Sequence, residues 1–279
     1  MKKKIKVGIP RAFLYYRYYI LWKNFFEIIG CNTDSDIVKV GNSLSVDESC
    51  LPSKIYLGHI SYLSDKCDYI LVPRIYSYGR KKRVCVKFNG IYDVVNNLFS
   101  NIKILDYNID NLKFRYELFG FVKMGLRLNK NIFRIIYAYI VGSIRQYKYN
   151  KTLILKQNKI MRSNRLKILI VSHPYIVYDK YLSSNIINYL KDEDIDLLYS
   201  DRMNRKEAIY YAEEESNTLY FLYSKENVGS AFYYKDLAIR KLKNIPCINI
   251  ILDDSTSTLG LYTRLESFVD IIKVRHNNG

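Results

Sequence analysis

Lys167-Ile168-Leu169-Ile170-Val171, followed at once by Ser172-His173-Pro174-Tyr175, is the stretch that decides the fold class. The run is too short for an ordinary helix and too continuously apolar for a strand with one wet face. It therefore reads as a strand buried on both faces of a parallel sheet. Pro174 ends it, and the spacing predicts a helix over 183–190. Weaker strands are expected at 197–199 and 219–222 and a strong one at 245–252, with Asp253-Asp254 at its carboxyl end and a closing helix over 263–274. The first half repeats the pattern. A strand over 5–9 stops at Pro10, and an aromatic helix over 14–29 closes at Gly30. A second strand is expected at 38–40, a helix at 52–63, a strand at 69–72 before Pro73, a helix at 90–98 and a strand at 102–105. Strands alternating with helices predict an α/β fold of two Rossmann-like domains with parallel sheets.

Residues 110–165 differ. Leu112, Tyr116, Phe119 and Val122 recur at helical spacing, as do Ile132, Ile136 and Ile140. From 101 to 165 there are 14 basic and 3 acidic residues, so the segment reads as a helical connector with a solvated basic face. The expected organisation is an N-terminal Rossmann-like domain over 1–109, a basic connector over 110–165 and a C-terminal Rossmann-like domain over 166–279. The C-terminal one is expected to be one strand short.

The 279 residues are 49% hydrophobic and 25% charged, which excludes a disordered or collagenous chain. The 28 tyrosines match what an AT-rich genome would encode. The net charge of +17 is confined to one part of the chain: residues 1–165 hold 30 Lys and Arg against 11 Asp and Glu, and residues 166–279 hold 14 against 16. No zinc-finger spacing, RNP-type aromatic motif or basic heptad array accompanies that charge, so nucleic-acid binding is not expected. A docking face for an anionic ligand or partner is the alternative. Arg11 and Arg17 interrupt the apolar stretch after the N-terminal lysines, and Arg134 lies in the short run 132–144, so no leader or membrane span is read. The expected location is cytoplasmic.

Ligands of open α/β sheets sit beyond the carboxyl ends of the strands. The loops there hold Arg11, the segment Glu48-Ser49-Cys50-Leu51-Pro52-Ser53-Lys54, Arg74, Cys85, His173 and Asp253-Asp254. There is no G-x-G-x-x-G, no Walker loop and no nucleophile elbow. The five cysteines, Cys31, Cys50, Cys67, Cys85 and Cys247, form no C-x-x-C pair and no disulfide framework. Cys50 stands at a predicted helix N-terminus, where free N–H groups and the helix dipole favour a thiolate, and Cys85 stands in a similar loop. Cys31, Cys67 and Cys247 read as packing residues. Arg11 and Arg74 suit phosphate or carboxylate groups, or surface ion pairs. His173 suits a ligand contact or the cap of the next helix, and Arg264 and Glu266 the fixing of the last helix against the first domain.

Several motifs carry a resemblance. They are K-V-G-I-P-R-A-F-L-Y-Y at 6–16, S-V-D-E-S-C-L-P-S-K at 45–54, D-Y-I-L-V-P-R-I at 68–75 and C-V-K-F-N-G at 85–90, then S-H-P-Y-I-V-Y-D-K-Y at 172–181 and I-L-D-D-S-T-S-T-L-G at 251–260. The chain resembles the D-component family of 2-hydroxyacyl-CoA dehydratases, in its acyl-CoA dehydratase activase-related branch. The resemblance implies two Rossmann-like domains holding a [4Fe-4S] cluster between them, with Cys50 and Cys85 as its first two ligands. It further implies an acyl-CoA substrate, an ATP-dependent activator that supplies one electron, lyase chemistry by radical dehydration, and a homo- or hetero-oligomer. Arg11, Arg74 and His173 become substrate-binding candidates. The chain departs from the family pattern after Tyr233-Tyr234-Lys235-Asp236, where the strand and loop of the third cluster cysteine are missing. It departs again at Asp254-Ser255, where relatives tend to carry Glu and His. A cluster-less accessory or scaffold subunit that docks a dehydratase or activator is the alternative reading.

Overall fold

The computed structural model describes residues 4–35, 50–77, 86–110, 114–128, 130–203, 217–222, 246–252 and 258–277. The expected strand at 38–40, the loop with Glu48, Cys85, the segment around Tyr233 and Asp253-Asp254 lie outside the described residues. The chain divides into two compact units, Met1–Tyr149 and Asn150–Gly279. Each is α/β with parallel pairing.

In the first unit, β1 (Lys6–Gly8) lies between β2 (Asn32–Asp34) and β3 (Tyr69–Leu71), and β5 (Ile104–Leu105) pairs outside β3. All three pairings are parallel. The second strand is thus Asn32–Asp34. It has no hydrophobic pattern and is a strand because its backbone completes the edge beside β1, with Val7 opposite Thr33. Beyond β3 the chain forms β4 (Arg74–Ser77), which pairs in parallel with β6 (Asn108–Asp110). Leu71 faces Leu105 and Arg74 faces Asn108, so the register runs unbroken across Pro73, and Arg74 N–H still reaches Tyr107 O at 2.9 Å. Arg74 therefore starts a strand and does not lie in a loop. Pro73 removes one donor without ending the pairing.

Between β1 and β2 runs α1 (Tyr15–Ile28). Leu21, Trp22, Phe25, Phe26 and Ile29 make one buried stripe at helical spacing. Gly30 ends the helix at φ +87°. Its N–H bonds Glu27 O at 2.9 Å and that of Cys31 bonds Phe26 O at 2.8 Å, the paired closure of a Schellman motif. Two further helices, α2 (Leu51–Ser64) and α3 (Val86–Leu98), follow β2 and β4.

The basic segment is a pair of helices, α4 (Phe114–Arg127) and the 30-residue α5 (Ile132–Met161). Phe121 packs on Tyr139 and on Phe25, at 4.9 and 4.6 Å between ring centroids. The face of α5 that the unit buries is Ile135, Ala138, Tyr139 and Gly142. Ile132 and Ile140, expected inside, are half exposed, as is Phe119 on α4. The core beneath needs Gly120: a Cβ there would come within 2.5 Å of Tyr107 Cβ, an atom tied to its backbone. Gly120→Ala is expected to lower stability by about 1 kcal/mol net, overpacking outweighing the helical gain of alanine. Urea unfolding measures it.

The second unit centres on β7 (Lys167–Val171), flanked by β8 (Asp196–Tyr199) and β9 (Asn217–Leu222), with β10 (Cys247–Ile251) outside β9. All pairings are parallel. Both sheets therefore have the same order, with the first strand of each between the second and the third. Around this sheet lie α6 (Pro174–Val177), α7 (Ser184–Asp192) and α8 (Thr258–Asn277). Arg264 anchors α8 by donating to Asn249 O at 2.8 Å. Among the described residues no helix is long and apolar enough to cross a membrane.

Candidate functional site

In each sheet the chain leaves the first strand to one side and returns on the other, the kind of reversal at whose carboxyl pole open α/β sheets bind ligands. In the first unit that pole lies beyond β1 and β3. Ile9 and Pro10 end one strand and Val72 and Pro73 the other, while α2 points its N-terminus to the same pole. A narrow cleft opens there, lined by Pro10, Phe13, Trp22, Tyr56, Pro73 and Ile91, with Ala12, Leu14 and Leu71. The lining is almost wholly apolar. Phe13 sits at φ +49°, a left-handed conformation costly for a bulky residue. Its ring rests 5.1 Å from that of Tyr56. Trp22 donates to Tyr107 Oη at 2.7 Å, and burial drives the Tyr107 phenol well above its ordinary pKa.

Charge enters through Arg11, next to Pro10. Its Nε is buried with no hydrogen-bond partner among the described residues, and its guanidinium carbon lies 5.6 Å from the centroid of the Tyr15 ring. His59, on α2, is 2% exposed, and its Nδ1 likewise has no partner among the described residues. Burial first, and the Arg11 cation second, push His59 down to about 4, so it is neutral near pH 7. A half-buried arginine with an unspent Nε donor, and a neutral imidazole near enough to feel its charge, suit a carboxylate or phosphate oxygen.

Cys50 caps α2 with an extended backbone (φ −65°, ψ 149°), ahead of Pro52. Its carbonyl accepts from the N–H of Ser53 and of Lys54, and its Sγ lies 3.0 Å from Ser53 Oγ. The sequence expectation of a cysteine at a helix head is met. The other described thiols are elsewhere: Cys31 precedes β2, Cys67 precedes β3 and Cys247 begins β10, all at the amino ends of strands. Burial raises Cys31, and raises Cys67 to about 11, which fits packing residues. Arg74 is engaged locally. It stacks on Tyr92 at 3.8 Å and lies 3.6 Å from Asp93, both on α3. Among the described residues no group of three His, Cys, Asp or Glu side chains could hold a metal ion.

In the second unit His173 heads α6 in an extended conformation, stacked on Tyr175 at 5.1 Å, and burial lowers its pKa. Sequence reasoning overlooked its neighbours at that pole. Arg202 lies over the rings of Tyr178 and Tyr199, at 5.1 and 4.4 Å, and Tyr178 donates to Asp201 at 2.8 Å. The signal was present, since Asp201-Arg202 directly follows a strand end. His59 carried none, being one polar residue inside an apolar helix.

Fold and site together define an α/β protein of two parallel-sheet units, with an apolar pocket in the first. The chain belongs to the family described as the CoA enzyme activase uncharacterised domain, DUF2229, whose model matches residues 6–203. Among curated protein sequences none matches. Two solved structures align over nearly their full length. ZnuA is 9% identical over 99% of this chain and 99% of that one, with a TM-score of 0.34. The substrate-binding protein FpvC of Pseudomonas aeruginosa, solved with Mn2+, is 9% identical over 99% and 100%, with a TM-score of 0.31.

Proposed function

We propose that this chain is an accessory component of a CoA-thioester enzyme system, built of two Rossmann-like units, whose first unit binds the acyl or pantetheine part of the thioester. It docks the dehydratase, or the ATP-dependent activator that drives it. The observation that carries the reading is the apolar pocket at the carboxyl pole, together with the unspent Nε of Arg11, the residue after Pro10 of its lining. The lining would take the apolar chain out of water. Arg11 would hold an anionic oxygen, and neutral His59 would leave the charge of Arg11 uncontested. Trp22, the chain's one tryptophan, lines the pocket and reports on it. Titration with butyryl-CoA should shift its fluorescence saturably, and Arg11→Gln should weaken binding by about tenfold, the loss expected for one charged hydrogen bond. Absence of binding to the unaltered protein by calorimetry would refute the proposal.

A second reading, favoured by Cys50 at the head of α2, is an iron–sulfur lyase subunit with Cys50 as a ligand and a [4Fe-4S] cluster performing radical dehydration of a 2-hydroxyacyl-CoA. A cluster of this kind is ordinarily held by several thiolates. Cys50 is the one of its two expected ligands among the described residues, and Cys85 lies outside them. Iron content and the EPR spectrum after anaerobic reconstitution discriminate. A brown protein that loses its iron in Cys50→Ala supports the second reading, and a colourless one supports the first.

A further inference from the structure

The stripe of α5 that faces away from the first unit has a heptad pattern. Phe133, Tyr137, Ile140, Ile144 and Tyr147 follow one another at intervals of four, three, four and three residues, and all are between 49% and 80% exposed. At 3.6 residues per turn they fall within an arc of about 80°. This is the narrow a/d seam of a coiled coil, on the face opposite the buried Ile135, Ala138 and Gly142. With Tyr137 and Ile144 at a, the d positions are Phe133, Ile140 and Tyr147. The e positions are Arg134, Val141 and Lys148, and the g positions are Ile136 and Ser143. Lys151 takes the next a position. No Asp or Glu occurs between Glu117 and Asp179.

We propose that this seam docks an acidic amphipathic helix of a partner protein. Such a helix would lay its apolar stripe along Phe133 to Tyr147 and set carboxylates against Arg134, Lys148 and Lys151. The inference does not depend on the chemistry of the carboxyl pole. Charge decides the occupant. Two copies of α5 paired in antiparallel would bring the basic e positions together. Paired in parallel, they would face Lys151 with Lys151 and match no basic residue with an acid. A helix lying in a membrane surface needs a broad apolar face with basic residues on both shoulders. Here Arg134 and Lys148 are on one shoulder, and the opposite face of α5 is buried in the unit.

The test uses the full chain and two synthetic peptides, each about four heptads long, with Leu at a and d. One carries Glu at e and g, its twin Lys. Fluorescence anisotropy should show binding of the acidic peptide and none of the twin. Ile140→Asp with Ile144→Asp, both at exposed positions, should weaken binding at least about tenfold while circular dichroism shows the fold retained. Lys148→Glu should weaken it too and admit the basic twin. Failure of the acidic peptide to bind, or binding indifferent to the two aspartates, overturns the proposal. So does a dimer of the chain that Ile140→Asp dissociates, which would make the seam a self-interface. Retention on phosphatidylglycerol vesicles that Ile140→Asp abolishes would make it a membrane face and overturn it equally.

Discussion

Lowering the pH from about 7 to about 4 is expected to cost the folded protein about 3 kcal/mol through His59 alone. In the unfolded chain this histidine titrates near 6.5. In the folded one, burial and the Arg11 cation hold it down to about 4. Between those values the unfolded state binds the proton and the folded state does not, so stability falls as the pH falls and levels off below about 4. Above 6.5 both states are neutral and the contribution is full. Glu117 acts with the opposite sign, because burial raises its carboxyl and stability declines as the pH climbs through its folded value. Comparison with His59→Gln cancels that background. Urea midpoints of the unaltered chain should drop between pH 7 and 4 by about 3 kcal/mol more than those of the variant. Parallel curves would show that His59 is solvated. Of a total stability that is typically about 5–15 kcal/mol, this share is large enough to make the first unit acid-labile.

The elements with a strong sequence signal were the ones whose side chains do the work. Lys167–Val171 is a strand paired on both sides with Ile168, Leu169 and Ile170 fully buried, and the apolar run shows it. Gly30 was legible because a helix that ends in a Schellman turn demands a residue tolerant of positive φ. Asn32–Asp34 was not, since an edge strand is made by backbone bonds to β1 and its polar side chains say nothing. On α5 the sequence offered several apolar rows, all at helical spacing. Contacts with α1 and α4 select Ile135, Ala138 and Gly142 as the inner one, where a Cβ on Gly142 would approach Leu21 O to 3.1 Å and one on Gly125 would meet Ile135. The rows left outside became the seam.

For the site, the rule that chemistry collects at the carboxyl ends of strands pointed to Arg11 and Cys50, which stand after β1 and at the head of α2. It pointed as well to Arg74, which Tyr92 and Asp93 engage on α3. Those two lie 18 and 19 positions beyond Arg74, and no local pattern announces such a meeting. The same holds for Arg202, which lies over two tyrosines far apart in sequence. Charge type is written in the sequence, whereas which cation keeps an unspent donor is settled by packing.

Trp22→Ala is expected to destabilise the protein by about 3–5 kcal/mol, the larger of the two losses. Trp22 is 2% exposed and wedged between the core and the pocket, stacked on Tyr18 at 5.7 Å. Its indole also donates to Tyr107 Oη, in a place where burial leaves no water to substitute. Truncation removes both the ring and the donor, and the two contributions are separable. Trp22→Phe keeps most of the packing but strands the phenol oxygen, a penalty of about 1–3 kcal/mol. Tyr107→Phe strands the indole N–H for a similar loss. If the bond is what couples them, the double variant should cost less than the two singles added, because no polar atom is then left unpaired. Strict additivity would mean that the two rings act by packing alone. The wall that Trp22 gives to the pocket provides a second readout. Trp22→Phe should bind butyryl-CoA, followed by calorimetry, less tightly than the unaltered chain by about threefold to tenfold, since the wall recedes while Arg11 stays. Equal affinity would place the acyl chain away from that wall.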